Sequence, residues 1–258
     1  ELADIGQMAA AGACALSEDG KSVYDPALMK NAMRYSKMFN LPIFDHCEEI
    51  TLAKGSMNAG DRASILGLKG IGDDSEEIMV SRDIILAKTT GAKLHICHIS
   101  TEGSVEQVKN AKAMGLPVTA EVAPHHFTLC DEDIKDYDSN FKMNPPLRSR
   151  KDLEIIRQAI KDNIIEVIAT DHAPHHIDDK NCEFEKAANG IIGLETSFAL
   201  SYTELVESGL ISFSDMLAKM TSNPADVLGC DKGQLAIGAT ADIAIADIDN
   251  KYTIDVNT

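Results

Sequence analysis

The chain has 258 residues, an apolar content of 44%, no Trp and a net charge of −17. That length suits one large domain or a single α/β barrel, and the composition gives it an aliphatic core. The negative charge excludes nucleic acid and anionic membrane surfaces, which need Lys and Arg for neutralisation, but leaves room for a small anionic substrate at a locally different site.

In chain order, Leu2, Ile5 and Met8-Ala9 stand at helical spacing, as though Glu1 lay inside a helix. "GACALS" (Gly12 to Ser17) reads as a strand and Pro26 to Phe39 as a helix. "LPIFDHC" (Leu41 to Cys47) is the next strand, followed by a helix over Glu76 to Thr90. "AKLHICHIS" (Ala92 to Ser100) precedes a helix from Gly103 to Met114, and "LPVTAEV" (Leu116 to Val122) is a fourth strand. A helix near Lys151 to Asp162 leads into "IIEVIATD" (Ile164 to Asp171), and helices are expected at about Thr196 to Ser208 and Phe213 to Thr221. The end, "GQLAIGATADIAIADID" (Gly233 to Asp249), has Gly-punctuated β character. Strands alternating with helices of this length signal βαβ units and a parallel sheet.

Six cysteines (Cys14, Cys47, Cys97, Cys130, Cys182 and Cys230) form no C-x-x-C pair, which reads as the reduced thiols of a cytoplasmic protein. No run approaches the roughly 20 apolar residues of a membrane span, and no signal segment is evident.

A doubly wound sheet fits the alternation, but the strand ends favour a barrel. Asp19 follows the first strand, His46 ends the second, His98 the third, Glu121 the fourth and Asp171 the fifth. Polar residues at the C-terminal ends of several strands converge on a barrel mouth, where active sites lie. His95 and His98 have opposite parity along a strand, and the strand-terminal His98 is nearer the mouth. Asp171 closes an apolar run, where a carboxylate needs a metal or a donor to offset its desolvation. Two imidazoles and two carboxylates suit Zn²⁺ or a similar divalent ion, although the spacing alone does not separate a metal hydrolase from a barrel with a polar mouth.

"DHCEE" (Asp45 to Glu49), "CHIST" (Cys97 to Thr101), "TAEVAPHH" (Thr119 to His126), "FKMNPPLR" (Phe141 to Arg148), "IATDHAPH" (Ile168 to His175), "GIIGLET" (Gly190 to Thr196) and "GQLAIGATADI" (Gly233 to Ile243) occur in this order. Together they resemble the bacterial class I dihydroorotases of the amidohydrolase superfamily. The resemblance implies a (β/α)8 TIM-type barrel, present here from about the fourth strand onward over residues 1–230. Residues 231–258 would then return into a small β-domain.

It further implies two divalent metals, usually zinc. Asp19 would be the bridging carboxylate, in the context Glu18-Asp19-Gly20 where the family has Asp-Asp-Gly. His46 and His98 would bind one metal, and Asp171 would bind the other while serving as general base and acid. Asn144 and His175 would hold the substrate, dihydroorotate or N-carbamoyl-L-aspartate, in pyrimidine biosynthesis. His125, His126, His172 and His176 are left to loop hydrogen bonding and Glu121 to a structural role. The loop "HIDDKNCEFEKAANG" after His175 is a candidate lid.

The family's His-x-His pair does not occur in the sequence. The expectation is therefore an incomplete chain of an active enzyme, inactive alone and holding at most one metal tightly. A homodimer or a complex with aspartate transcarbamoylase is the expected assembly. Hydantoinase or allantoinase activity, and a non-catalytic scaffold that binds a transcarbamoylase, are the alternatives.

Overall fold

The computed structural model describes residues 1–254. Among them are seven strands: β1 (Leu16–Glu18), β2 (Ile43–Asp45), β3 (Met57–Asn58), β4 (Gly70–Ile71), β5 (Leu94–Ile96), β6 (Val118–Val122) and β7 (Val167–Ile168). Five form a parallel sheet in the order β1-β2-β5-β6-β7, while β3 and β4 pair separately. Each strand of the large sheet neighbours the next one in sequence. A doubly wound sheet reverses its order at a switch point; this one does not, and it forms the wall of an α/β barrel.

The helices are α1 (Ile5–Ala10), α2 (Pro26–Met38), α3 (Asp61–Leu66), α4 (Asp74–Thr90), α5 (Glu102–Ala113), α6 (Pro124–Thr128), α7 (Arg150–Lys161), α8 (Ile177–Lys180), α9 (Ser197–Ser201), α10 (Phe213–Met220) and α11 (Ser222–Leu228). Local chemistry sets their starts. Asp25 caps the Ala27 amide with Pro26 at the first position of α2, Thr101 caps Ser104 in α5, and Ser149 caps Asp152 in α7. The buried stripe of α7, Leu153, Ile156 and Ile160, repeats at helical spacing, and Ile156 and Ile160 join the core against the sheet.

On the sheet's helix side, Ile43, Leu94, Ile96, Val118, Ala120 and Val122 pack against Met29, Met33, Val80, Val108 and Ile156. Each such large side chain contributes roughly 1.5–3 kcal/mol on burial. The alternate residues Phe44, His95, Thr119 and Glu121 face the opposite side. A second core of Met57, Ile134, Met143, Leu147 and Phe184 lies beneath the loops.

Several boundaries differ from the sequence expectation. The N-terminal helix begins at Ile5 with its own cap, Asp4, which accepts from the Gln7 amide at 3.1 Å. β1 starts at Leu16 and not at Gly12, because the amides of Gly12 and Ala13 bond back to Ala9 and Met8 of α1. β7 is confined to Val167–Ile168: the Ile164 and Ile165 amides close the end of α7 on the Ala159 carbonyl.

The helix expected over 196–208 splits into α9 and a π-helical turn, Tyr202–Glu207. There the Glu204 carbonyl accepts from Arg157 Nη2 at 2.7 Å, and such an insertion into the helical ladder opens it. Residues 231–254 contain no paired strand, and Leu235, Ile237 and Ile245 are exposed, so the expected β-domain has no ladder within the described part. Residues 255–258 lie outside it.

Candidate active site

The C-terminal ends of β1, β2, β5 and β7 carry the candidate residues. His46 follows β2 directly and is buried. His98 lies two residues beyond β5 at φ +32°, and Asp171 three beyond β7 at φ +47°. Positive φ is uncommon for residues other than Gly, and here it ends the period-two alternation. Continued as a strand, His98 would point toward the helices with Ile96; the left-handed turn brings it to the mouth beside His46. His95 stays on the strand, hydrogen-bonded to Thr119 Oγ1 at 2.8 Å and Glu121 Oε2 at 3.1 Å.

His46 Nδ1 lies 2.9 Å from His98 Nε2. Asp19 Oδ1 stands 3.8 Å from the first nitrogen and 3.9 Å from the second. One ligand-type atom from each residue falls within 4.8 Å of the others. The two-nitrogen, one-oxygen donor set fits a divalent ion such as zinc. His98 holds the Asp19 carboxyl below its ordinary range. Burial disfavours charge on His98, but Asp19, Asp171 and Glu121 outweigh it and raise its pKa overall.

Asp171 lies beside this cluster, outside the 4.8 Å group. Its pKa is raised, first by burial, with His98 and His46 opposing and Asp19 adding to the rise. Its Oδ2 is 3.9 Å from His125 Nε2, a buried nitrogen without a hydrogen-bond partner among the described residues. Burial drives the His125 pKa well down, so it faces Asp171 as a neutral imidazole.

Asn144 comes to the mouth from the loop before α7. Its Nδ2 donates to Glu48 Oε1 at 2.7 Å and lies 3.5 Å from His46 Nε2. His175 is not drawn into the group: it is exposed, with Nε2 2.7 Å from the Asn189 carbonyl. His172 Nδ1 accepts from the Gly193 and Leu194 amides, His126 pairs with the Pro145 carbonyl, and His176 accepts from the Asp178 amide at the start of α8. The candidate lid is pinned from beneath. Lys180 Nζ donates to the carbonyls of Lys142, Ala188 and Gly190, and Phe184 is buried.

Three features escape a reading by spacing. Glu48 meets Asn144 from 96 positions away. Arg148, buried, joins Ser100, Asn58, the Ile71 carbonyl, Asp73 and Glu76. Behind β2, Asp45, Cys47 and Asp83 form a second group of ligand-type atoms. Arg82, however, holds both oxygens of Asp83 at 2.8–3.0 Å, which makes that group an internal ion-pair network.

Within it, burial and then the Asp83 charge push the Asp45 pKa from 3.8 up to about 9. Between those values the folded chain holds a proton that the unfolded chain has released. The associated stability is present in acid and is lost as pH rises through that window. Asp45→Asn, which mimics the protonated group, is expected to be the more heat-stable protein at pH 9, with a smaller advantage at pH 5. Parallel melting-temperature curves over that range would show that Asp45 is ionised in the native state.

Residues 5–257 match the amidohydrolase family. The dihydroorotase of Acetivibrio thermocellus is 49% identical over the whole chain, which covers 61% of that relative. The dihydroorotase of Ruminiclostridium cellulolyticum is 48% identical over 99% of the chain and 60% of its own length. The chain thus spans about three-fifths of these curated relatives. Among solved structures, an L-hydantoinase (dihydropyrimidinase) from Arthrobacter aurescens superposes with a TM-score of 0.82 at 25% identity, over 92% of this chain and 56% of that one. No helix among the described residues is long and apolar enough to cross a membrane. With a family match over nearly all its length, a parallel barrel wall and ligand-type side chains gathered at the strand ends, the chain belongs to the amidohydrolase family.

Proposed function

We propose that this chain supplies the metal-binding and proton-transferring wall of a dihydroorotase, which reversibly opens the cyclic amide of dihydroorotate to N-carbamoyl-L-aspartate. The observation that carries the reading is the convergence of Asp19, His46 and His98, with Asp171 beside them, in a chain 49% identical to a dihydroorotase. His46 and His98 would hold one zinc ion, Asp19 would bridge to a second, and Asp171 would bind that second ion. When bound, the ions polarise the ring carbonyl and make water a nucleophile near neutral pH.

Asp171, its proton affinity raised by burial, takes the proton of the attacking water and returns it to the ring nitrogen as the C–N bond breaks. Asn144 presents Oδ1, buried and unpartnered among the described residues, as an acceptor for a substrate N–H. His175 is assigned to the substrate carboxylate, which requires it to leave the Asn189 carbonyl. A cytoplasmic location accords with six free cysteines, and a homodimer or a complex with aspartate transcarbamoylase is the proposed assembly.

The hydantoinase reading rests on the structural likeness at 25% identity and is the weaker of the two. The deciding experiment is turnover by full-length, zinc-loaded protein. Ring opening of dihydroorotate and closure of carbamoyl aspartate are expected, with little activity on hydantoin or allantoin. Turnover of hydantoin alone would transfer the assignment to that class. Zinc binding without turnover of any ring amide would point to a scaffold.

A further inference from the structure

Glu48 stands two residues beyond His46 on the turn after β2, with only 14% of its side chain exposed. Its turn is fixed by Ser22, whose hydroxyl accepts from the Glu48 amide at 2.8 Å and donates to the His46 carbonyl. One carboxylate oxygen accepts from Asn144 Nδ2 at 2.7 Å, and the other lies 3.6 Å from His46 Nε2. The remaining neighbour of that nitrogen, Asn144 Nδ2, is a donor.

The imidazole of His46 therefore has two differently served faces. Nδ1 points to His98 and Asp19, and Nε2 points to Glu48. A metal ligand must present a lone pair on one nitrogen and keep its proton on the other, and a carboxylate beside the second nitrogen selects that tautomer. The same carboxylate occupies the Asn144 NH₂ group, which settles the orientation of the amide and leaves Oδ1 as its free acceptor.

We propose that Glu48 is a positioning residue with two targets. It holds His46 with the Nδ1 lone pair toward the metal, and it orients Asn144 with its oxygen toward the substrate. The second half rests on the dihydroorotase reading; the first does not.

The two halves separate on substitution. In Glu48→Gln the amide oxygen still accepts from Asn144, which leaves an NH₂ group against His46 Nε2 and favours the wrong tautomer. Zinc affinity of the full-length protein, measured by competition with a chromophoric chelator, is expected to weaken about 10- to 100-fold, the range for such outer-shell changes. KM for dihydroorotate should stay near the wild-type value. Glu48→Ala should weaken zinc to a similar extent and also raise KM. Both variants should keep the wild-type circular dichroism spectrum.

Zinc affinity within twofold of wild type in folded Glu48→Gln overturns the His46 assignment, whether or not Glu48→Ala folds. An unchanged KM in folded Glu48→Ala overturns the Asn144 assignment. Weakened zinc binding in a protein that never turns over dihydroorotate would leave the His46 half standing while the functional reading fell.

Discussion

Asp171→Asn is expected to lower turnover of dihydroorotate by about 10²- to 10⁴-fold, the range ascribed to a positioned general acid–base group. Asn has nearly the same shape and can still lie against His125, but it can neither take nor return a proton. The kcat/KM values for ring opening and ring closing should fall by the same factor, because a substitution in the catalyst leaves the equilibrium between the two unchanged. Steady-state rates measured in both directions check this. Activity within tenfold of wild type, with zinc bound, would remove Asp171 from the proton path. The His125 nitrogen 3.9 Å from Asp171 then becomes the first group to examine, since it is buried and has no other partner among the described residues.

Arg148→Met should have the largest effect on stability. Arg148 donates through Nε to Ser100 Oγ at 3.0 Å and through Nη1 to the Ile71 carbonyl at 3.2 Å, and its Nη2 lies 3.7 Å from Glu76. Glu76 is itself 4% exposed and also accepts from the Ser100 amide at 3.1 Å. Removing the guanidinium strands the buried Glu76 carboxylate, a loss of about 3–5 kcal/mol, while the Ile71 carbonyl keeps the Ala59 amide at 2.9 Å. At about 2–4 °C per kcal/mol for a chain of this size, the melting temperature should drop on the order of 10 °C.

Because most of that loss reflects the abandoned charge, adding Glu76→Gln should recover a good part of it in a double-mutant cycle. Arg148→Lys should fall between the two, since an ammonium lacks the planar fork that reaches several acceptors at once. Additive effects of the two substitutions would show that the pair is not coupled. Arg148 also follows Asn144 on one short segment, so a looser Arg148 site should raise KM for substrate along with the stability loss.

The elements that were legible in the sequence are those set by near neighbours. α2 runs from Pro26 because Asp25 and Pro26 are adjacent, and α5 and α7 start at their own caps, so the patterns of Met29-Met33 and Leu153-Ile156-Ile160 translate directly into buried faces. The order of strand and helix, and the polar residues at strand ends, carry the barrel and the positions of His46, His98 and Asp171, since a strand's C-terminal end is a place in the chain as well as in space.

Only the folded structure could decide what those residues meet. The left-handed φ at His98 reverses the side that simple alternation predicts. The Glu48–Asn144 bond, the Arg148 hub and the Asp45–Arg82–Asp83 network join separate elements, and His175 rests on a carbonyl 14 residues away. Such contacts arise when the helices close on the sheet. No local period encodes them, because their free energy belongs to groups desolvated together and not to either segment alone.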